Sequence, residues 1–164
     1  MKYKIVKNID LSGKACSIYS IFVEEYGTTL LEKFVEIYSE DYPDDIQNIL
    51  DRIEVIAHDT GARKGYFKEH EGKPGDHVCA LFDKPGKRLR LYCIHFGTML
   101  VVLGSGGPKK VATWQDDPSL RKAAEWMTRV SEDIYKRQKE KEIWSTNDDM
   151  DFEGNLNFGY EEEE

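Results

Sequence analysis

Between Lys87 and Lys110 the chain reads KRLRLYCIHFGTMLVVLGSGGPKK, and its basic residues fall at spacings that suit a polyanion. In an extended strand successive side chains face opposite ways, so Arg88, Arg90 and Tyr92 share one face while Leu89, Leu91 and Cys93 share the other. One face is then free to pack a core. The other offers guanidinium groups, which fork onto phosphate oxygens, and a phenol. After Gly97-Thr98 turns the chain back, Lys109 and Lys110 arrive where the second strand ends. The pattern predicts a two-strand hairpin with an RNA-facing surface.

Charge along the chain agrees. The formal net charge of −8 conceals a segregation: residues 63–110 carry ten basic and four acidic side chains, whereas residues 1–62 carry six and twelve. Residues 111–144 balance, and 145–164 hold eight acids and no base. A local excess of cations inside an acidic chain is the footprint expected of a nucleic-acid surface. The polar, aromatic stretch GARKGYFKEHEGKP adds Arg63 and Lys68 to the same basic segment.

The elements that position these residues follow from periodicity. Residues 2–9 and 15–23 alternate around Asp10–Lys14 and predict an N-terminal β-hairpin over 1–23. Leu30, Leu31, Phe34, Val35 and Tyr38 recur at helical spacing after Thr28 and Thr29, either of which suits an N-cap. A second helix begins near Pro43, carries Ile46, Ile49, Leu50, Ile53, Ile56 and Ala57 on one stripe, and stops at Gly61, giving a helical hairpin over 28–60. An antiparallel meander is expected over 76–104, with strands at 77–82, 88–95 and 99–103 and a turn at Pro85-Gly86. Asp117-Pro118 opens a last helix over 117–143, with Leu120, Ala123, Ala124, Met127, Val130 and Ile134 as its stripe. The fold class is α+β, with an antiparallel sheet of about four strands backed by helices. One domain spans 1–144. An acidic tail, 145–164, follows; Leu156 and Phe158 alternate as in a short strand, Glu161–Glu164 are expected to be disordered, and the alternative is a tail that folds over the basic sheet in cis and screens it.

Other chemistries find little support. Cys16, Cys79 and Cys93 are odd in number and lack metal-ligand spacing, so reduced thiols in the core and no zinc site are expected. Gly104–Gly107 lacks the Lys-Ser/Thr ending of a P-loop and reads as a flexible turn or a strand kink. His95 shares the Leu91/Cys93 face and is expected in the core, while His70 and His77 lie in or near the loop without a visible partner. The N-terminus is too polar for a signal peptide and the longest apolar run, Met99–Leu103, is too short to cross a bilayer, so a soluble cytoplasmic protein without membrane contact is expected.

GARKGYFKEHEGKPGDHVCAL, RLRLYCIHFG, VVLGSGGPKK and the WQDDP before the last helix resemble the RelE/ParE superfamily of bacterial toxins, in particular the phage-derived HigB-like group in a longer, Bacteroidetes-type form. The likeness covers roughly residues 61–137, and FEGNLNF in the tail resembles the longer members. It implies an endoribonuclease acting on mRNA, usually on the ribosome, and neutralised by a small antitoxin protein. Such enzymes need neither metal nor cofactor: the ribose 2′-OH attacks the adjacent phosphate, leaving a cyclic phosphate and a 5′-hydroxyl. The reaction requires a base, cations for the charge at phosphorus and an acid for the leaving oxygen. By the resemblance Arg90 stabilises the phosphate, Lys109 or Lys110 contacts or protonates it, and Lys68 lies near the substrate. Arg63, Arg88 and Tyr92 would contact RNA, Tyr92 by stacking on a base. Typical members are shorter and basic, no histidine falls at a base position, and the base stays unassigned. Two other classes remain open: a non-catalytic RNA- or gyrase-binding module on the same fold, and an interaction protein dimerised through its N-terminal hairpin and long helix.

Overall fold

Helical stripes and strand alternation produce the elements in the order the sequence indicates, here in a computed structural model that describes residues 2–68, 77–81, 88–109 and 118–159. Strands β1 (Tyr3–Lys7) and β2 (Ser17–Val23) form the N-terminal hairpin, and the two-residue β3 (Thr28–Thr29) pairs back on β2. Thr29 caps α1 (Leu30–Tyr38) reciprocally: its Oγ1 accepts from the Glu32 N–H at 3.1 Å, and the Glu32 carboxylate accepts from the Thr29 N–H at 3.3 Å. Helix α2 (Pro43–Val55) starts on its proline and continues into a π turn, Ile56–Thr60, which Gly61 ends at a φ of 76° while its N–H donates to the Ile56 carbonyl. A 3₁₀ turn (Lys64–Tyr66) leads into β4 (Phe67–Lys68), followed by β5 (Cys79–Leu81), β6 (Leu89–Phe96) and β7 (Leu100–Pro108). Helix α3 (Pro118–Lys139) precedes β8 (Ile143–Ser145), β9 (Phe152–Gly154) and β10 (Asn157–Phe158). The expected turn at Pro85-Gly86, the cap Asp117, His70 and the Glu161–Glu164 run lie outside the described residues.

The class is α+β, but the sheet is larger than about four strands. Its order is β10-β1-β2-β7-β6-β5-β4, with β3 beside β2, eight strands among the described residues. Neighbours are antiparallel except β2 and β7, which run parallel from Ser17↔Leu100 to Ser20↔Leu103. The crossover that parallel neighbours require is supplied by the intervening helices and strands. The N-terminal hairpin is thereby built into the sheet beside the meander.

Neither face of the central strands is open. On one face Tyr19, Ile21, Tyr92, Ile94, Leu100 and Val102 meet Leu120, Ala124, Met127, Val130 and Ile134 of α3. On the other Ile18, Leu89, Leu91, Cys93, Val101 and Leu103 meet Leu31 and Phe34 of α1 and Ile46, Ile49 and Ile53 of α2. The glycine run lets the layers close. Register moves from Cys93↔Leu103 to Leu91↔Gly106, so β7 carries one extra residue there, a β-bulge, which is the strand kink among the expected alternatives. A Cβ on Gly104 would stand 2.1 Å from the Met127 Sδ, and one on Gly106 would stand 1.7 Å from the Arg90 carbonyl oxygen.

The segment after α3 is not a separate tail up to residue 159. Strands β8 and β9 form a hairpin, and β10 adds to the free edge of β1 through Tyr3↔Phe158 and Lys4↔Asn157. This is the short strand that Leu156 and Phe158 suggested. It lies four strands from β6, roughly 19 Å away at ordinary strand spacing, and where the segment does reach β6, Phe152 packs on Phe96 at 5.1 Å between centroids, at the turn end away from Arg88 and Arg90. Asp151 ties the segment down: it accepts from the Tyr19 hydroxyl at 3.0 Å and pairs with the Lys7 ammonium at 2.9 Å. Burial alone would raise its carboxyl pKa, but the bonds from Lys7 and Tyr19 outweigh burial and hold it below the usual value. A depressed carboxylate contributes stability above its unfolded pKa of about 3.9 and loses it as pH falls through the folded value. Replacing Asp151 with Asn should therefore lower stability at neutral pH and flatten its fall below about pH 4, measured as urea midpoints across pH.

Candidate nucleic-acid interface

Four of the sequence-predicted cations fall on one region of the sheet. At the start of β6, Arg88 is exposed and Arg90 is half-buried opposite Gly107, which brings no side chain of its own from β7. The Lys109 N–H donates to the Arg88 carbonyl at 2.8 Å, so the end of β7 brings Lys109 beside Arg88. Lys68 joins by register: Lys68↔Ala80 and Ala80↔Tyr92 place it in the same lateral row as Tyr92 and hence on the Arg90 face. Two strands across and two residues along separate the Lys68 and Arg90 Cα atoms by roughly 12 Å. Lys110 lies outside the described residues.

Two predicted residues do not join it. The Ala62 N–H donates to the Thr98 carbonyl at 2.7 Å, which sets exposed Arg63 beside the β6–β7 turn, at the opposite end of β6 from Arg88. Tyr92 is fully buried against α3, so it cannot stack on a base; it is a core residue.

A carboxylate missed in the sequence sits at the same end. Asp45, in the first turn of α2, accepts from the backbone N–H groups of Arg88 and Leu89 at 2.7 and 3.0 Å. It fixes the start of β6 against α2 and places a negative charge beside the cations. Two acids at the start of a helix were visible in the sequence, but a partner 43 residues away was not.

Two histidines, His77 and His95, gather elsewhere. His95 is half-buried rather than core, stacked on Phe67 at 4.8 Å between centroids, with Nδ1 3.0 Å from the Gly97 carbonyl. His77 packs its ring 4.7 Å from Tyr135, at the same turn end of β6. The cysteines are buried free thiols. Cys79 and Cys93 oppose each other across β5 and β6 with sulfurs 3.7 Å apart, and burial pushes the Cys16 thiol up to about 12. Among the described residues no group of His, Cys, Asp and Glu is placed to hold a metal ion, and no helix is long and apolar enough to cross a membrane. What the arrangement supplies is charge-assisted hydrogen bonding to phosphate oxygens from fixed strand positions.

Comparison of the chain with protein-family models, with curated proteins and with solved structures gave no match.

Proposed function

We propose that this chain is a RelE/HigB-like toxin that cleaves mRNA by 2′-OH transesterification, with the cationic start of β6 as its phosphate site. The observation that carries the reading is the collection of Arg88, Arg90 and Lys109 at one end of the β6–β7 hairpin, with Lys68 on the same sheet face. Arg90 stabilises charge at phosphorus, Lys109 or Lys110 meets the leaving side, and Lys68 approaches the substrate from the neighbouring strands. The ribosome presents the mRNA, and a small antitoxin protein silences the toxin. Induced expression of wild-type protein in a bacterial host should arrest growth and generate new, codon-positioned mRNA 5′ ends; a folded protein that leaves transcripts intact removes the nuclease reading.

One observation favours a second reading, a non-catalytic RNA- or gyrase-binding module. His77 and His95 lie about 17 Å along β6 from Arg90, so neither is within reach of a 2′-OH held there. Growth arrest without discrete mRNA ends would select this reading over the first.

A further inference from the structure

On the far side of the molecule from α3, α1 and the β1–β2 hairpin leave a trough between them. Its volume is about 800 Å³. Val6, Ile9 and Leu11 form one wall, and Leu31, Val35 and Leu50 form the other. Ile9 is 79% exposed, which is unusual for a large aliphatic side chain with an apolar trough beside it. In the floor lies Ser20, 1% exposed, whose Oγ has no hydrogen-bond partner among the described residues. A buried hydroxyl left in that state costs on the order of a lost hydrogen bond.

The lips are acidic. Asp10 stands on the hairpin side, and Glu32 and Glu36, one helical turn apart, stand on the α1 side. Glu32 is committed to the Thr29 cap, which holds its carboxyl below the usual range, so it is ionised. The one cation among the lining residues, Lys7, is paired with Asp151. Apolar walls between carboxylate lips are complementary to a segment with aliphatic side chains on one face and cations on both flanks.

We infer that this trough docks a cationic amphipathic helix of a partner protein. The wall from Thr28 to Glu36 matches about two turns of helix in length, and cations three or four residues apart on the incoming helix reach Glu32 and Glu36 together. Leucine-like anchors at i, i+3 and i+4 fill the space between Ile9 and Val35, as in other helix-in-groove complexes. This inference is independent of the RNA reading, because the trough uses none of Arg88, Arg90, Lys109 or Lys68.

The test is a nitrogen-15 NMR titration of the full chain with an 18-residue Leu/Lys amphipathic peptide, and with the same peptide carrying Glu in place of Lys. The Leu/Lys peptide should shift amides of residues 6–11, 20 and 28–36, and the Leu/Glu peptide should not. Ile9→Glu and the double change Asp10→Lys with Glu36→Lys, all at exposed positions, should each weaken binding at least tenfold while leaving the rest of the spectrum in place. Equal binding of both peptides, shifts centred elsewhere, or variants that bind as tightly as wild type would each overturn the inference.

Discussion

Arg90→Ala should abolish growth arrest and lower RNA cleavage by about two to three orders of magnitude, while the protein still folds. Removing one donor that stabilises charge developing in a transition state typically costs about 2.7–4 kcal/mol of activation free energy, which sets that range. Arg90 is the right residue to carry it because its backbone is fixed in the middle of a sheet, on β6 between β5 and β7, so the guanidinium stem is held before substrate arrives. Its half-buried position also removes it partly from the water that screens Arg88. Arg90→Lys keeps the charge but loses the planar fork, and intermediate activity is expected from it. Arg63→Ala is the internal control: at the other end of β6 it should leave cleavage within about twofold of wild type. Single-turnover cleavage of a defined RNA, with melting temperatures recorded in parallel, separates chemistry from folding. A folded Arg90→Ala protein that remains fully toxic would remove the phosphate assignment.

The local parts of this fold were legible because their causes are local. The Leu30–Tyr38 and Ile46–Ala57 stripes, the Gly61 stop and the α3 stripe each declare themselves within a few turns, and all appear. What sequence periodicity does not declare is which strand becomes a neighbour. Nothing in Ser17–Val23 signals a parallel partner 83 residues on, yet that pairing enlarges the sheet and builds the N-terminal hairpin into it beside β7. Beyond Arg90 the face expected to contact RNA is covered by α3, and part of the reason is visible in the sequence. Past Arg90 the same-face positions become Tyr92, Ile94 and Phe96, an apolar sequence that calls for cover, and α3 supplies it. Only at the start of β6 does that face stay basic. The gathering of Arg88 with Lys109 was readable as a hairpin end, whereas the place of Lys68 depends on the β4–β5–β6 register, which lies beyond local pattern.

Arg137→Ala should cost about 3 kcal/mol and release the segment after α3. Arg137 lies in the last turn of α3 and is 8% exposed. Its Nη1 donates to the Asn155 carbonyl at 2.8 Å and to the Asn157 carbonyl at 2.5 Å, and its guanidinium carbon sits 3.8 Å over the Phe158 ring. Phe158 in turn stacks on Tyr3 at 4.7 Å between centroids with rings 6° from parallel, and the Ile5 N–H donates to the Leu156 carbonyl. One side chain thus holds both carbonyls that flank Leu156 and the aromatic anchor of β10. Hydrogen bonds from a charged donor contribute about 1.5–3 kcal/mol each and a desolvated cation–π contact up to about 2, but contacts sharing one group do not add, so about 3 kcal/mol is the expected net. For a chain of this size that is a drop of roughly 6–12 °C in melting temperature. Arg137→Lys should recover only part of it, since a single ammonium cannot match the spread of the guanidinium. The decisive reading is amide exchange at Ile5: loss of its protection together with cleavage by protease beyond residue 139 means that β10 has left β1. If Ile5 stays protected and stability changes by less than about 0.5 kcal/mol, the edge is held by its backbone pairing with β1 and by the Phe158–Tyr3 stack, and the guanidinium is a passenger.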